Sequence, residues 1–184
     1  MLSIRVPTES DLEPLCTLAR AIWQATYPAL ISQAQIDFML ADRYAPARIW
    51  EQFNDPEHAW RLAWWMDERA GFAHARIEAD VCKLDKLYIH PDYQRRGIGG
   101  ALLHDMKTFA RDQSATRLWL QVNRGNTAAI AAYQKYGFII REARVFDIGG
   151  GFVMDDYVMM KEIWTWSGQS GGAKEAVGVL GAPC

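Results

Sequence analysis

One segment limits this chain more than any other: Leu87-Tyr88-Ile89-His90-Pro91-Asp92-Tyr93-Gln94-Arg95-Arg96-Gly97-Ile98-Gly99-Gly100. Pro91 cannot donate to a ladder and biases His90 to extended backbone, so a strand ends there. Ala101, Leu102, Leu103, Met106, Phe109 and Ala110 then recur at helical spacing. A strand, a glycine-bearing turn and a helix start in that order present free amide hydrogens and the positive end of a helix dipole, which bind anions without net positive charge. Glycines let the backbone curl around phosphate oxygens, and Arg95 and Arg96 add charge beside it. The reading is a diphosphate cradle. It is not a P-loop, because Gly100 is followed by Ala101 and Leu102 where Lys and Ser/Thr are needed. Nor is it a dinucleotide fingerprint, since Leu102 stands at the third glycine of G-x-G-x-x-G.

The flanking pattern predicts an α/β (α+β) fold. Leu2 to Val6 alternates as a short strand, and Thr8 or Ser10 can cap a helix carrying Leu12, Leu15, Cys16, Ala19, Ile22 and Trp23 on one face. Beyond Pro28, helical spacing resumes through Ile36 and Leu40 and, after Pro46, through Ile49, Trp50 and Phe53. Trp60 to Met66, Gly71 to Ile77 and Cys82 to His90 read as an antiparallel meander, with turns at Asp67-Glu68-Arg69 and Glu78-Ala79-Asp80. Leu118 to Val122 is a strand and Thr127 to Tyr136 a helix, closed by Gly137 in left-handed backbone. Phe138 to Ile148 and Phe152 to Trp166 are two more strands, the second interrupted at Asp155-Asp156. The boundaries are a domain over 1–166 and a glycine-rich tail over 167–184, too poor in large apolar groups to offset its ordering entropy.

Charge and cysteine content exclude several functions. With 20 Lys+Arg against 22 Asp+Glu, the chain lacks the cationic excess that a phosphate backbone demands, so a nucleic-acid partner is not expected. The first residues hold Arg5, Glu9 and Asp11 where a secretion signal would be apolar, and no window approaches the roughly 18 apolar residues of a membrane span. Cys16, Cys82 and Cys184 form no C-x-x-C pair, and His58, His74, His90 and His104 fall at no ligand spacing. The expectation is a cytoplasmic protein with reduced thiols, no membrane and no metal.

Two motifs together carry a family resemblance. Gln94-x-x-Gly97-x-Gly99-Gly100, preceded by Leu-Tyr-Ile-His-Pro, resembles the acyl-CoA-binding motif of the GNAT superfamily of N-acetyltransferases, and Asn126-Thr-Ala-Ala129-x-x-x-Tyr133-x-x-x-Gly137-Phe138 is similar to its second signature. Ile22-Trp23-x-x-Thr26-Tyr27 and Phe146-Asp-Ile-Gly-Gly further resemble the PaiA-type polyamine N-acetyltransferases. The resemblance implies a three-layer sandwich: a mixed, mostly antiparallel sheet with helices on both faces and a splayed strand forming the acyl-CoA cleft. It implies acetyl-CoA as cosubstrate.

By the same resemblance Leu87, Tyr88 and Ile89 contact the cofactor through main chain, and Gln94, Arg95, Arg96, Gly97, Ile98, Gly99 and Gly100 hold its diphosphate. Asn126 matches the position that contacts the pantetheine and Tyr133 the one that meets the sulfur, where a phenol can give a departing thiolate its proton. Their plainer readings are a helix cap and a core aromatic. An alkyl ammonium must lose a proton before attack. Lys83 stands where some members place a glutamate, so the base is left between Asp85 and Glu78, acting directly or through water. Trp23 and Tyr27, with Trp50 and Trp164, are candidate walls for the acceptor, and Asp147, Asp155 and Asp156 candidate counter-charges. The expected activity is direct acetyl transfer to a small-molecule primary amine, with a homodimer as the candidate assembly. The alternatives are transfer to a protein N-terminus or lysine and a non-catalytic acyl-CoA-binding regulatory module.

Overall fold

The computed structural model describes residues 1–163. The expected boundary at 166, the 167–184 tail and Trp164 lie outside these residues. The chain runs β1 (Leu2–Arg5), α1 (Leu12–Thr26), α2 (Gln33–Arg43), α3 (Pro46–Phe53), β2 (His58–Trp65), β3 (Glu68–Glu78), β4 (Val81–Ile89), α4 (Ile98–Asp112), β5 (Arg117–Asn123), α5 (Thr127–Lys135), β6 (Ile139–Gly149) and β7 (Phe152–Glu162). The strands form a single sheet in the order β1-β2-β3-β4-β5-β7-β6. Every neighbouring pair is antiparallel except β4 with β5.

Strand periodicity sorts the core into two layers. Along β3, Phe72 and His74 point toward α1–α3, whereas Ala73 and Ala75 point toward α4. The small side chains on the second face let α4 pack closely through Leu102, Leu103, Met106 and Ala110. On the first face Leu15, Ala19, Ile22 and Trp23 of α1 bury against Trp60, Leu62 and Phe72. The sheet therefore has helices on both faces, as the family resemblance implies.

Local chemistry sets the helix starts differently. Ser32 Oγ accepts the amide of Gln35 at 3.2 Å, Pro46 occupies the first turn of α3, and Asn126 Oδ1 accepts the amide of Ala129 at 3.2 Å. Thr8 and Asp11 form a reciprocal capping box on the 3-10 turn before α1. The start of α4 is Gly97, which has no side chain to offer, so its first-turn amides remain open.

Two expectations need correction. The β2–β3 turn is narrower than Asp67-Glu68-Arg69: Met66 takes left-handed backbone (φ 54°), and Glu68 and Arg69 already pair with Trp65 and Trp64. Arg69 spends its charge on the Trp64 face and on Asp11, which makes it a strand residue. Asp155-Asp156 does not interrupt β7, because Asp156 pairs in register with Asn123 of β5 and Arg144 of β6 and the ladder is continuous on both sides.

Candidate active site

The cleft begins where two strands part. The parallel pairing of β4 and β5 covers only Val81–Arg117, Cys82–Leu118 and Lys83–Trp119. Lys83 straps the last rung: its ammonium donates to Gln121 Oε1 at 2.6 Å and lies 4.6 Å from the Trp119 ring centre. Beyond it the strands diverge and leave a cleft of about 890 Å³, lined by Leu87, Tyr88 and Ile89 on one side and Gln121, Val122 and Asn123 on the other. Main-chain groups at a strand edge without a partner can pair with an extended ligand as an added strand would.

The glycine loop closes one end. Pro91–Tyr93 makes a 3-10 turn, Arg95 adopts left-handed backbone (φ 60°) and Gly97 does likewise (φ 80°), which turns the chain into α4. Gln94 reaches back to the Ile89 carbonyl at 3.3 Å and fixes the loop to β4. A Cβ built on Gly97 meets nothing within 4 Å, and one on Gly99 only touches Ile89 at 4.0 Å. Both glycines border open space in front of the α4 amides, the shape and polarity a diphosphate fits. Gly100 serves packing, since a Cβ there would come within 2.8 Å of the Tyr136 hydroxyl. Arg95 lines the cleft. Arg96 turns away from it, stacking on Trp65 and Tyr93 and donating to the Asp92 carbonyl.

Helix α5 supplies the middle of the cleft. Asn126, Ala129 and Tyr133 all line it, so capping the helix and facing the cleft are one placement for Asn126. The Tyr133 ring packs edge-on against Phe138, with centroids 5.6 Å apart. Desolvation, aided by Tyr27, lifts its phenol above the ordinary range.

The floor is aromatic and hydrogen-bonded within itself. Trp23 and Tyr27 are only 2% and 8% exposed and border the cleft. Trp23 Nε1 donates to Tyr44 Oη at 3.2 Å, and the Tyr27 and Tyr88 hydroxyls share a bond of 3.1 Å. Trp50, by contrast, is 39% exposed on α3, packs on Phe53 and lines no part of the cleft.

The expected base positions fare differently. Glu78 is not brought to the cleft: it sits beside the closed end of the β4–β5 pair, paired with Arg76 at 2.6 Å and accepting from Trp119 Nε1 at 3.1 Å. Asp85 does line the cleft, but it is the extra residue of a bulge, where His74 pairs with Lys86 and Ala75 with Leu84. The bulge lets Asp85 and Lys86 share the α1–α3 side. Asp85 there holds Lys86, contacts His74 Nδ1 at 3.3 Å and lies 3.7 Å from Lys83. Burial alone would raise its pKa, yet Lys86 and His74 outweigh that and hold the carboxyl well below the usual range. A carboxylate so stabilised is a weak proton acceptor. Desolvation drives His74 down to about 4, so it is neutral at physiological pH and its Nε2 pairs with His58 Nδ1 at 2.8 Å.

Residues the spacing did not single out also meet here: Arg43 at the end of α2 and Gln121 of β5 both line the cleft. Among the described residues no cluster of His, Cys, Asp or Glu could hold a metal, and no helix is long and apolar enough to cross a membrane.

Residues 18–138 match the family model described as the acetyltransferase (GNAT) family. An uncharacterized N-acetyltransferase of Mycobacterium tuberculosis is 31% identical over 155 residues, covering 84% of this chain and 99% of that one. The spermidine N(1)-acetyltransferase of Thermoplasma acidophilum is 25% identical over 158 residues, 84% of this chain and 96% of the relative. The Escherichia coli ribosomal protein bS18 alanine N-acetyltransferase is 39% identical over 69 residues, 38% of this chain and 47% of its own length. The crystal structure of the T. acidophilum PaiA N-acetyltransferase in complex with coenzyme A superposes with a TM-score of 0.77 at 25% identity, covering 88% of this chain and 99% of that one. The motif pair, the parted strands and these likenesses agree, and the chain belongs to the GNAT family of N-acetyltransferases.

Proposed function

We propose that the protein moves the acetyl group of acetyl-CoA directly to a primary amine of a small molecule, with polyamines the first candidates. The observation that carries this reading is a single cleft lined by the glycine loop, by Trp23, Tyr27, Asp147 and Asp156, and by Tyr133. The amides of Arg95 to Gly100 and the Arg95 guanidinium would hold the diphosphate, with Gln94 bracing the loop. Main chain at Leu87, Tyr88 and Ile89, with Asn126 opposite, would align the pantetheine arm and polarise the thioester carbonyl.

Attack by a neutral amine would give a tetrahedral intermediate, and Tyr133 would protonate the departing thiolate. Burial raises the phenol's pKa and makes it a weaker acid at rest, so this transfer relies on the negative charge that develops on the sulfur. No cysteine lines the cleft among the described residues, which favours transfer without an acyl-enzyme. Trp23 and Tyr27 would form the apolar floor under the amine. The free thiols of Cys16 and Cys82 fit a cytoplasmic setting.

The polyamine class rests on the named spermidine acetyltransferase among the relatives and on the carboxylates Asp147 and Asp156 in the cleft. Transfer to a protein N-terminus is the second reading, favoured by the higher local identity to the bS18 alanine acetyltransferase. A thiol-release assay with acetyl-CoA across spermidine, simple alkylamines and a peptide with N-terminal alanine separates them. Turnover on spermidine or an alkylamine, with little on the peptide, is expected. Preference for the peptide would shift the reading to proteins, and acetyl-CoA binding with no turnover on any amine would overturn transfer.

A further inference from the structure

A carboxylate other than Asp85 and Glu78 lines the same cleft. Asp156 is central in β7, between Asn123 of β5 and Arg144 of β6. Strand alternation places it with Met154 and Val158 on the inward side, and both Asp156 and Met154 line the cleft. Its side chain is 4% exposed, and Oδ1 is buried with no hydrogen-bond partner among the described residues. A buried carboxylate oxygen with no donor is costly, and folded chains rarely keep one that a donor could not reach. Here a donor has a route to the carboxylate, because Asp156 lines a cleft rather than a sealed core.

We propose that Asp156 receives the ammonium group of the acceptor and takes its proton, acting as the general base of the acetyl transfer. This rests on the N-acetyltransferase reading of the cleft. The ammonium loses two protons on becoming an amide N–H. Asp156 accepts the first as the N–H bond breaks and returns it to solvent. The nitrogen lone pair then forms the N–C bond, and collapse of the tetrahedral intermediate breaks the C–S bond. The thiolate takes its proton from Tyr133, and the second nitrogen proton restores the phenol. One proton per turnover is released, and no other co-reactant is needed.

The surroundings of Asp156 suit that task. Arg43 from α2 and Lys83 from β4 bear on it as cations, Asp155 adjoins it on β7, Arg144 and Asn123 flank it in register, and the Tyr27 hydroxyl of α1 feels its charge. Desolvation dominates these and pushes the carboxyl up to about 6. Asp156 can therefore exchange a proton near neutral pH, whereas Asp85, tied to Lys86 and His74, cannot. Trp23 and Tyr27 border the same cleft and suit the alkyl stem of a cationic amine. The acceptor class is thus a primary alkylammonium ion, recognised by its charge.

The test compares wild type with Asp156→Asn in three measurements: acetyl-CoA binding by calorimetry, spermidine binding to the CoA-loaded protein, and kcat/KM for spermidine against pH. Expected are acetyl-CoA affinity within about threefold of wild type, spermidine affinity reduced about tenfold or more, and kcat/KM reduced about 100-fold or more near pH 7. Wild type is expected to show an acid limb near 6, and the variant to lose it, leaving a rate that rises about tenfold per pH unit with the free amine. Wild-type kcat/KM and pH profile in the variant would overturn the assignment. If wild type acetylates no amine, the transfer reading fails by itself and binding decides: a tenfold loss of spermidine affinity upholds Asp156 as the ammonium site. Equal affinity, or no amine binding at all, overturns it. A thermal melt shows the variant folded, because Asn keeps the shape and removes a desolvated charge.

Discussion

At the scale of single residues, the same buried groups govern chemistry and stability with opposite signs. His74, held near 4 against about 6.5 in an unfolded chain, binds fewer protons when native, so its contribution rises with pH across that window and is lost on acidification. Asp156, raised to about 6, binds more protons when native, so its contribution falls as pH rises from about 4 to 6. Each shift corresponds to about 3 kcal/mol as an upper figure, and the two nearly cancel. Asp156→Asn should therefore unmask His74: by thermal melts, the variant is expected to exceed wild type by about 1–3 kcal/mol near pH 7, match it near pH 4, and lose more stability between them. Lys86→Met leaves the buried Asp85 carboxylate with His74 and a more distant Lys83, and should cost about 3–5 kcal/mol in urea unfolding. Tyr133→Phe should lower kcat about 100-fold or more while the acetyl-CoA dissociation constant moves less than about threefold; full activity would end its role as acid. Tyr133 and Asn126 were legible in the sequence because motif spacing carries them. Asp156 was legible only as one of three candidate counter-charges, because its inward face depends on the phase of β7, and two adjacent aspartates read as a break until the register with Asn123 and Arg144 is known.

At the scale of elements, the loop into α4 and the bulge in β4 build the site. The glycine loop was legible because its glycines do what side chains do poorly: Gly97 sits at φ 80°, which L side chains rarely adopt, and Gly99 fronts open space. Gly99→Val should fill that space and weaken acetyl-CoA at least about tenfold by calorimetry, with the melting temperature moving little, since the nearest atom to a Cβ there is 4.0 Å away. The β4 bulge was not legible. Period-two reasoning correctly puts Asp85 on the same strand face as Lys83, but it then puts Lys86 on the opposite face. The extra residue instead lets Lys86 join them beneath Trp60 and Tyr44. Sequence counting thus found a carboxylate in the cleft and missed the cation that neutralises it. Arg96 shows the same limit, since composition cannot tell a guanidinium aimed at a ligand from one stacked on Trp65.

At the scale of the whole molecule, the cleft exists because one strand pair is parallel and short. A sheet paired along its full length would bury the edges of Leu87 to Ile89, and helices pack on both faces of the opened sheet. Alternation of strand and helix patterns made the layered fold readable, but the place where β4 leaves β5 follows from side chains that meet only in three dimensions, Lys83 with Gln121 above all. A ligand that binds only the folded chain stabilises it, so acetyl-CoA at about 100 times its dissociation constant should add about 2.7 kcal/mol and raise the melting temperature by roughly 5–10 °C. Amide hydrogen exchange with and without acetyl-CoA tests the placement of that ligand in the cleft most directly. Protection is expected in Leu84 to Ile89, Arg95 to Gly100 and Asn126 to Tyr133, with Glu78 and the α3 surface unchanged. Protection absent from the glycine loop, or concentrated away from the β4–β5 divergence, would contradict it.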